Sequence, residues 1–140
     1  MNFKKRDWDV RIKGLEDANR LLLEYIESKD ANLLDGAIWN MWRFCEYALN
    51  AGLELLDERA DRGHSMGETA EFLRAKHLLR DDHSKLLEQL EVYRQKVEYG
   101  SFARKKASHF NRANVADCLS CAQAIREDIE AQLSRRGRLS

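Results

Sequence analysis

Arg94 and Tyr99 are the side chains whose types and spacing bear most directly on chemistry. At 100° per residue, Leu86, Leu87, Leu90, Tyr93 and Val97 project onto one helical face, and Arg94 falls inside the same arc, between the directions of Leu87 and Leu90. A guanidinium aimed into an apolar seam is costly unless something pairs with it. Arginine stays charged there, so it needs an acid, an aromatic face or a bound phosphate. Five residues on, Tyr99 and Gly100 close the helix, Gly100 suiting the left-handed position past a helix end. One helix end thus receives an inward cation and then a phenol. The plainer alternative pairs Arg94 with Glu98 at i+4 or Glu91 at i−3, a surface contact worth about 0.2–0.5 kcal/mol that requires an exposed Arg94.

Other reactive residues point to structure rather than catalysis. Cys118-x-x-Cys121 has the look of a redox or zinc half-site, but it falls mid-helix, and no second ligand pair is spaced to complete a tetrahedron. Cys45, Cys118 and Cys121 are read as buried structural thiols, reduced in a cytoplasmic setting, because their odd number and spacing build no disulfide framework. His77 and His83 flank Asp81 and Asp82 at a helix break, which reads as an exposed junction ahead of a metal site. No H-E-x-x-H, glycine-rich phosphate loop or G-x-S-x-G is present, so no metal or cofactor is expected.

The elements that must position Arg94 are helical. With no proline and abundant Leu, Ala, Glu, Lys and Arg, the chain of 140 residues predicts long helices in one domain. A first helix over Asp7 to Glu27 carries a stripe of Trp8, Ile12, Leu15, Leu22 and Ile26. A second, Asn32 to Glu58, fills a broad face with Leu34, Ile38, Met41, Trp42, Cys45, Ala48, Leu49, Gly52 and Leu56, and Gly52 suggests another backbone nearby. Beside that face run Trp39, Arg43, Glu46 and Asn50, either the edge of the core or a self-association surface with a polar seam. Ser65-Met66-Gly67-Glu68 fits a capping box opening a short helix to about Leu79, and Asp81 and Asp82 start the helix that holds Arg94. After a basic connector, Asn111 or Asn114 caps a last helix with a stripe of Val115, Cys118, Leu119, Ala122, Ile125, Ile129 and Leu133. The expectation is all-α: an antiparallel bundle of four longer helices and one short one, ordered over about 5–134, with a loose basic tail over 135–140.

The formal net charge is zero, so the whole molecule exerts no general pull on nucleic acid or anionic membrane. Any such contact needs a local patch: Arg104, Lys105, Lys106 and Arg112, or the tail arginines Arg135, Arg136 and Arg138. No run approaches 18 uncharged apolar residues, and the start MNFKKRDWDV lacks the apolar core of a signal peptide, so no membrane association is expected.

From Ala37 to about Leu133, the phrase AIWNMWRFCEYALNAGLELL with Glu46, then Gly63-His64-Ser65, LEQLEVYRQKVEYG, a basic connector and an alanine-rich last helix follow in an order that resembles the HEPN family. The resemblance implies a homodimer with its cleft between the Arg94-bearing helix ends of two subunits, RNA or a nucleotide as ligand, and a toxin–antitoxin or defence role. It also implies, for many members, metal-independent RNA cleavage through an Arg-x(4–6)-His motif. Here Tyr99 stands where that histidine would, as in a branch ending Arg-x4-Tyr-Gly; a phenol is a poor base at neutral pH but can donate a hydrogen bond to phosphate. On this resemblance Arg94 clamps phosphate, Tyr99 donates to it, Glu46 orients Arg94, and His109 or Arg104 stands in reserve. Arg104–His109 and Arg59–His64 match the motif literally, at a rate chance alone supplies. Two further readings stay open: a non-catalytic module that binds a partner such as a nucleotidyltransferase-type antitoxin, and a monomeric bundle without a cleft.

Overall fold

The computed structural model describes residues 4–56, 65–98 and 112–139. Among them run five helices: α1 (Lys5–Ser28), α2 (Ala31–Leu55), α3 (Met66–Ala75), α4 (Ser84–Glu98) and α5 (Arg112–Arg135). They pack as an all-α bundle of four longer helices and one short one, as the periodicity predicts. In α1, Trp8, Ile12, Leu15, Ala18 and Leu22 are buried at spacings of four, three, three and four residues, whereas Ile26, expected on that stripe, is 36 % exposed in the last full turn before the chain reverses. Lys29 makes that reversal in the left-handed region (φ 59°), and the Asp30 carboxylate then accepts the Asn32 N–H to cap α2.

Central to the bundle is α2, which touches each of the other four helices. Its neighbours reveal the directions. Trp8 meets Phe44 and Tyr47, while Leu21 lies beside Gly36, so α1 and α2 are antiparallel. Gly52 faces Leu73 of α3 and Ile129 of α5, and Cys118 donates to the Leu86 carbonyl while Asp128 reaches Arg80, so α4 and α5 are antiparallel too. At Gly52 the close approach comes from side chains rather than from another backbone: a Cβ there would stand 2.8 Å from Leu73 Cδ1. The predicted α5 stripe is buried throughout.

The short helix is fastened at both ends. Ser65 Oγ accepts the Glu68 N–H, as the capping box predicts. Glu91 Oε1 of α4 accepts the Met66 N–H at 3.1 Å, placing a carboxylate at the positive end of α3. Gly67 permits this contact, because a Cβ there would lie 3.0 Å from the Ser84 carbonyl oxygen. At its other end α3 stops at Ala75, not near Leu79. His77 adopts φ 65°, and the Leu78 and His77 N–H groups close back on Leu73 and Arg74, with Leu73 and Leu78 buried together. This is a Schellman closure with histidine in the place glycine usually takes.

The junction between α3 and α4 is exposed at His77, Asp81 and Asp82, as expected, but departs from that expectation at His83. Asp128 of α5, 7 % exposed, accepts the backbone N–H of Arg80 at 3.0 Å and its Nε at 2.7 Å. Asp82 accepts from the N–H and hydroxyl of Ser84, and these bonds hold its carboxyl below the usual carboxylate value. His83 is 6 % exposed, and its Nε2 is buried without a hydrogen bond among the described residues. Burial pushes its pKa below the ordinary 6.5, against the opposing pull of Asp81, Asp128 and Asp82. The unfolded chain then takes up a proton before the folded one does. Stability is full above pH 6.5 and falls as pH drops from there through the depressed folded value. Urea unfolding across pH 7.5 to about 5.5 is expected to show this loss, and His83→Leu to flatten it.

α5 begins at Arg112, and Asn114 lies inside it instead of capping it. Its end is not loose. Arg138 N–H bonds to the Leu133 carbonyl and Gly137 N–H to Ser134, with Gly137 at φ 63° and Leu139 packed on the core.

Candidate functional site

Helical phase places Arg94 in the buried arc of α4, with Leu87 and Leu90 fully buried on either side of its direction. Its guanidinium rests on α2, where Cζ lies 4.1 Å from the centre of the Trp42 ring. Of the three companions the sequence allows, the aromatic face is therefore present. A guanidinium suits it because it is planar and weakly hydrated, and the ring's negative face offsets part of the lost solvation. Trp42 also meets Trp39, one turn earlier on α2, at 5.6 Å between centroids and 35° between planes. All three side chains are partly buried, so the stack stands at the surface of the α2–α4 seam. Trp42 Nε1 is buried with no acceptor among the described residues, which leaves packing rather than a hydrogen bond to set the ring.

Glu91, an i−3 candidate for Arg94, is committed to the α3 N-terminus through Met66. Glu46 lies one turn beyond Trp42 and is exposed, as are Arg43 and Asn50 on the same line. Trp39 is the part-buried member of that line, so it fits both the core edge and the surface stripe that the sequence allows. Next to Arg94, Tyr93 is 6 % exposed; its hydroxyl accepts from Gln89 Nε2 at 2.9 Å and bonds to Asn114 of α5. Burial raises its pKa, so it remains a neutral phenol. The Tyr93–Asn114 bond ties the last turns of α4 to the first turn of α5.

The remaining candidates fall on the connector over 99–111 or near it. Tyr99, Gly100, Arg104, Lys105, Lys106 and His109 lie outside the described residues, as do Arg59 and His64. Arg112 opens α5, with only its backbone described. The structure thus brings together Arg94, Trp42 and Trp39, and Arg43, Glu46 and Asn50 stand exposed further along α2.

All three cysteines are buried. Desolvation pushes the Cys118 and Cys121 thiols up to about 12 and Cys45 well above its usual value, so none is a thiolate at neutral pH. No group of three or more His, Cys, Asp or Glu side chains among the described residues gathers as metal ligands would. No helix of the described residues is long and apolar enough to cross a membrane.

Sequence reasoning missed an open groove of about 770 Å³ between α1 and α5, lined by Lys5, Lys13, Arg126, Asp9 and Glu130 around an exposed Val10. Its charges are mixed, and Lys5 already pairs with Asp9 at 2.9 Å. It also missed Asp128 and Glu130, which reach across the fold to Arg80 and Trp8. Their only advance sign was that both lie one step from the apolar α5 stripe. In comparison with known proteins, no curated protein and no solved structure matches the chain. A family model does match residues 13–132, that of the HEPN domain.

Proposed function

We propose, for a chain that belongs to the HEPN family, that Arg94 is the phosphate clamp of an RNA-binding cleft formed between the α4 ends of two copies. The observation that carries this reading is the guanidinium held over the Trp42 ring at 4.1 Å, on a partly exposed side chain near the end of α4. A ring contact holds the cation in position, and a guanidinium so placed suits an anion because its N–H groups are arranged as a planar fork. In this reading Arg43, Glu46 and Asn50 lie toward the second copy, where Arg43 of each faces Glu46 of the other. Tyr99 donates to the phosphate, Glu46 orients Arg94, and Arg104, Lys105, Lys106 and Arg112 draw in the backbone. Cleavage in such a cleft forms a bond from the RNA 2′-oxygen to phosphorus and breaks the bond to the 5′-oxygen. A base takes the 2′ proton, an acid returns one to the leaving oxygen, and Arg94 balances charge on the phosphoryl oxygens. His109 is the residue proposed for the proton steps. The setting is a toxin-like component of a toxin–antitoxin or defence pair.

Purified protein incubated with varied RNAs in EDTA tests this. Wild type is expected to bind RNA, and Arg94→Ala to weaken binding and any cleavage by roughly 100-fold or more, with the helical circular dichroism unchanged. Products formed in EDTA make the protein a metal-independent endoribonuclease; binding without products makes it an RNA-binding module. No binding by wild type, or full activity in Arg94→Ala, refutes the clamp. The exposed line of Arg43, Glu46 and Asn50 favours a second reading, docking of a nucleotidyltransferase-type antitoxin, which would survive that failure.

A further inference from the structure

The least expected side chain on the outer line of α2 is Trp39. Its companions there, Arg43, Glu46 and Asn50, are exposed and polar, yet Trp39 presents an indole that is only partly covered. Its ring leans on Trp42 at 5.6 Å and a tilt of 35°, and Trp42 carries the Arg94 guanidinium at 4.1 Å. The two separations place the Trp39 ring no more than 9.7 Å from the cation. A nucleotide can bridge a separation within that limit, with its phosphate on the guanidinium and its base against the outer indole. Trp39 and Trp42 both lie in the N-terminal half of α2, the half that meets Arg94 near the end of α4.

We propose that Trp39 stacks an unpaired purine of the RNA strand whose phosphate Arg94 holds. The ligand class is single-stranded, purine-containing RNA, and Trp39 is its specificity-determining residue. This rests on the RNA reading above. A duplex keeps its bases stacked on one another and offers no free ring face, whereas a single strand can lay a base on an aromatic side chain. The larger purine ring covers more of an indole than a pyrimidine does. A partner protein would gain from Trp39 burial as well, but nothing in that alternative uses the alignment of the indoles with a phosphate-binding cation.

Fluorescence-anisotropy titration of the full chain with labelled short oligoadenylate, oligouridylate and the adenylate strand paired into a duplex tests this. Wild type is expected to favour the single adenylate strand. Trp39→Ala is expected to lose roughly tenfold or more in affinity for it and to bind adenylate and uridylate alike, while Trp39→Phe retains most of the preference. Arg94→Ala weakens both single strands together. Wild-type affinity and preference in Trp39→Ala, with Arg94→Ala still weakened, overturn the stacking and leave the RNA reading standing. No binding of any strand by wild type overturns the RNA reading itself, and the stacking with it. Equal loss on both single strands in Trp39→Ala, together with a shift to monomer in sedimentation, assigns Trp39 to the contact between copies and overturns the proposal.

Discussion

Trp8→Ala is expected to lower the unfolding free energy by about 3–5 kcal/mol, measured as a fall in the urea midpoint at unchanged m value. Trp8 is fully buried, its ring lies 5.8 Å from Phe44 and 6.0 Å from Tyr47, and its Nε1 donates to Glu130 at 2.9 Å. One side chain therefore fastens α1 to both α2 and α5. Alanine would empty most of that volume and strand a carboxylate at its edge, two losses that add. Trp8→Phe separates them, because it keeps a ring but not the donor, and is expected to show the smaller cost. A loss under about 1 kcal/mol for Trp8→Ala would mean that α1 is only loosely attached. The α4 face of α2 lies away from this contact, so RNA binding by the folded fraction is expected to be unchanged.

The second large effect is at Trp42. Trp42→Ala takes the floor from beneath the Arg94 guanidinium and the support from behind Trp39. RNA affinity is expected to fall at least tenfold, with a stability loss of about 2 kcal/mol, less than at Trp8 because Trp42 is only partly buried. Trp42→Phe offers a smaller negative face and should lie between wild type and alanine. A double-mutant cycle of Trp42→Ala with Arg94→Ala, followed by urea unfolding, is expected to give a coupling of about 0.5–2 kcal/mol. Additive losses would show that the ring and the cation do not support one another.

Much of the architecture could be read from periodicity. Apolar residues every three or four positions announced the faces of α1, α2 and α5, and the buried side chains of those stripes make up most of the core. The Ser65 cap was legible because it is a contact between near neighbours. What periodicity does not encode is which polar group meets which across the fold. The carboxylate of Glu91 was placed three residues from Arg94 in sequence, yet it serves Met66, 25 residues away. His83 read as a junction residue and Asp128 was not singled out, because burial on the shoulder of a stripe depends on what the neighbouring helix brings. The left-handed turn at His77 gave no sign either, since glycine is the usual marker.

At the candidate site the phase of Arg94 was legible and its companion was left open among three chemistries. The answer came from another helix: Trp42 had been assigned to the core and Trp39 to a neighbouring line, and their 5.6 Å contact joins the two. Five of the named chemistry-bearing residues, Tyr99, Arg104, Lys105, Lys106 and His109, fall on the connector, outside the described residues.

The salt dependence of RNA binding tests the phosphate clamp most directly. For single-stranded RNA, the slope of log affinity against log salt is about −0.7 per neutralised phosphate. If Arg94 holds a phosphate, Arg94→Ala must weaken binding and make that slope shallower by about 0.7 for each copy engaged. An Arg94→Ala protein that binds as tightly as wild type, or more weakly with an unchanged slope, would contradict the clamp.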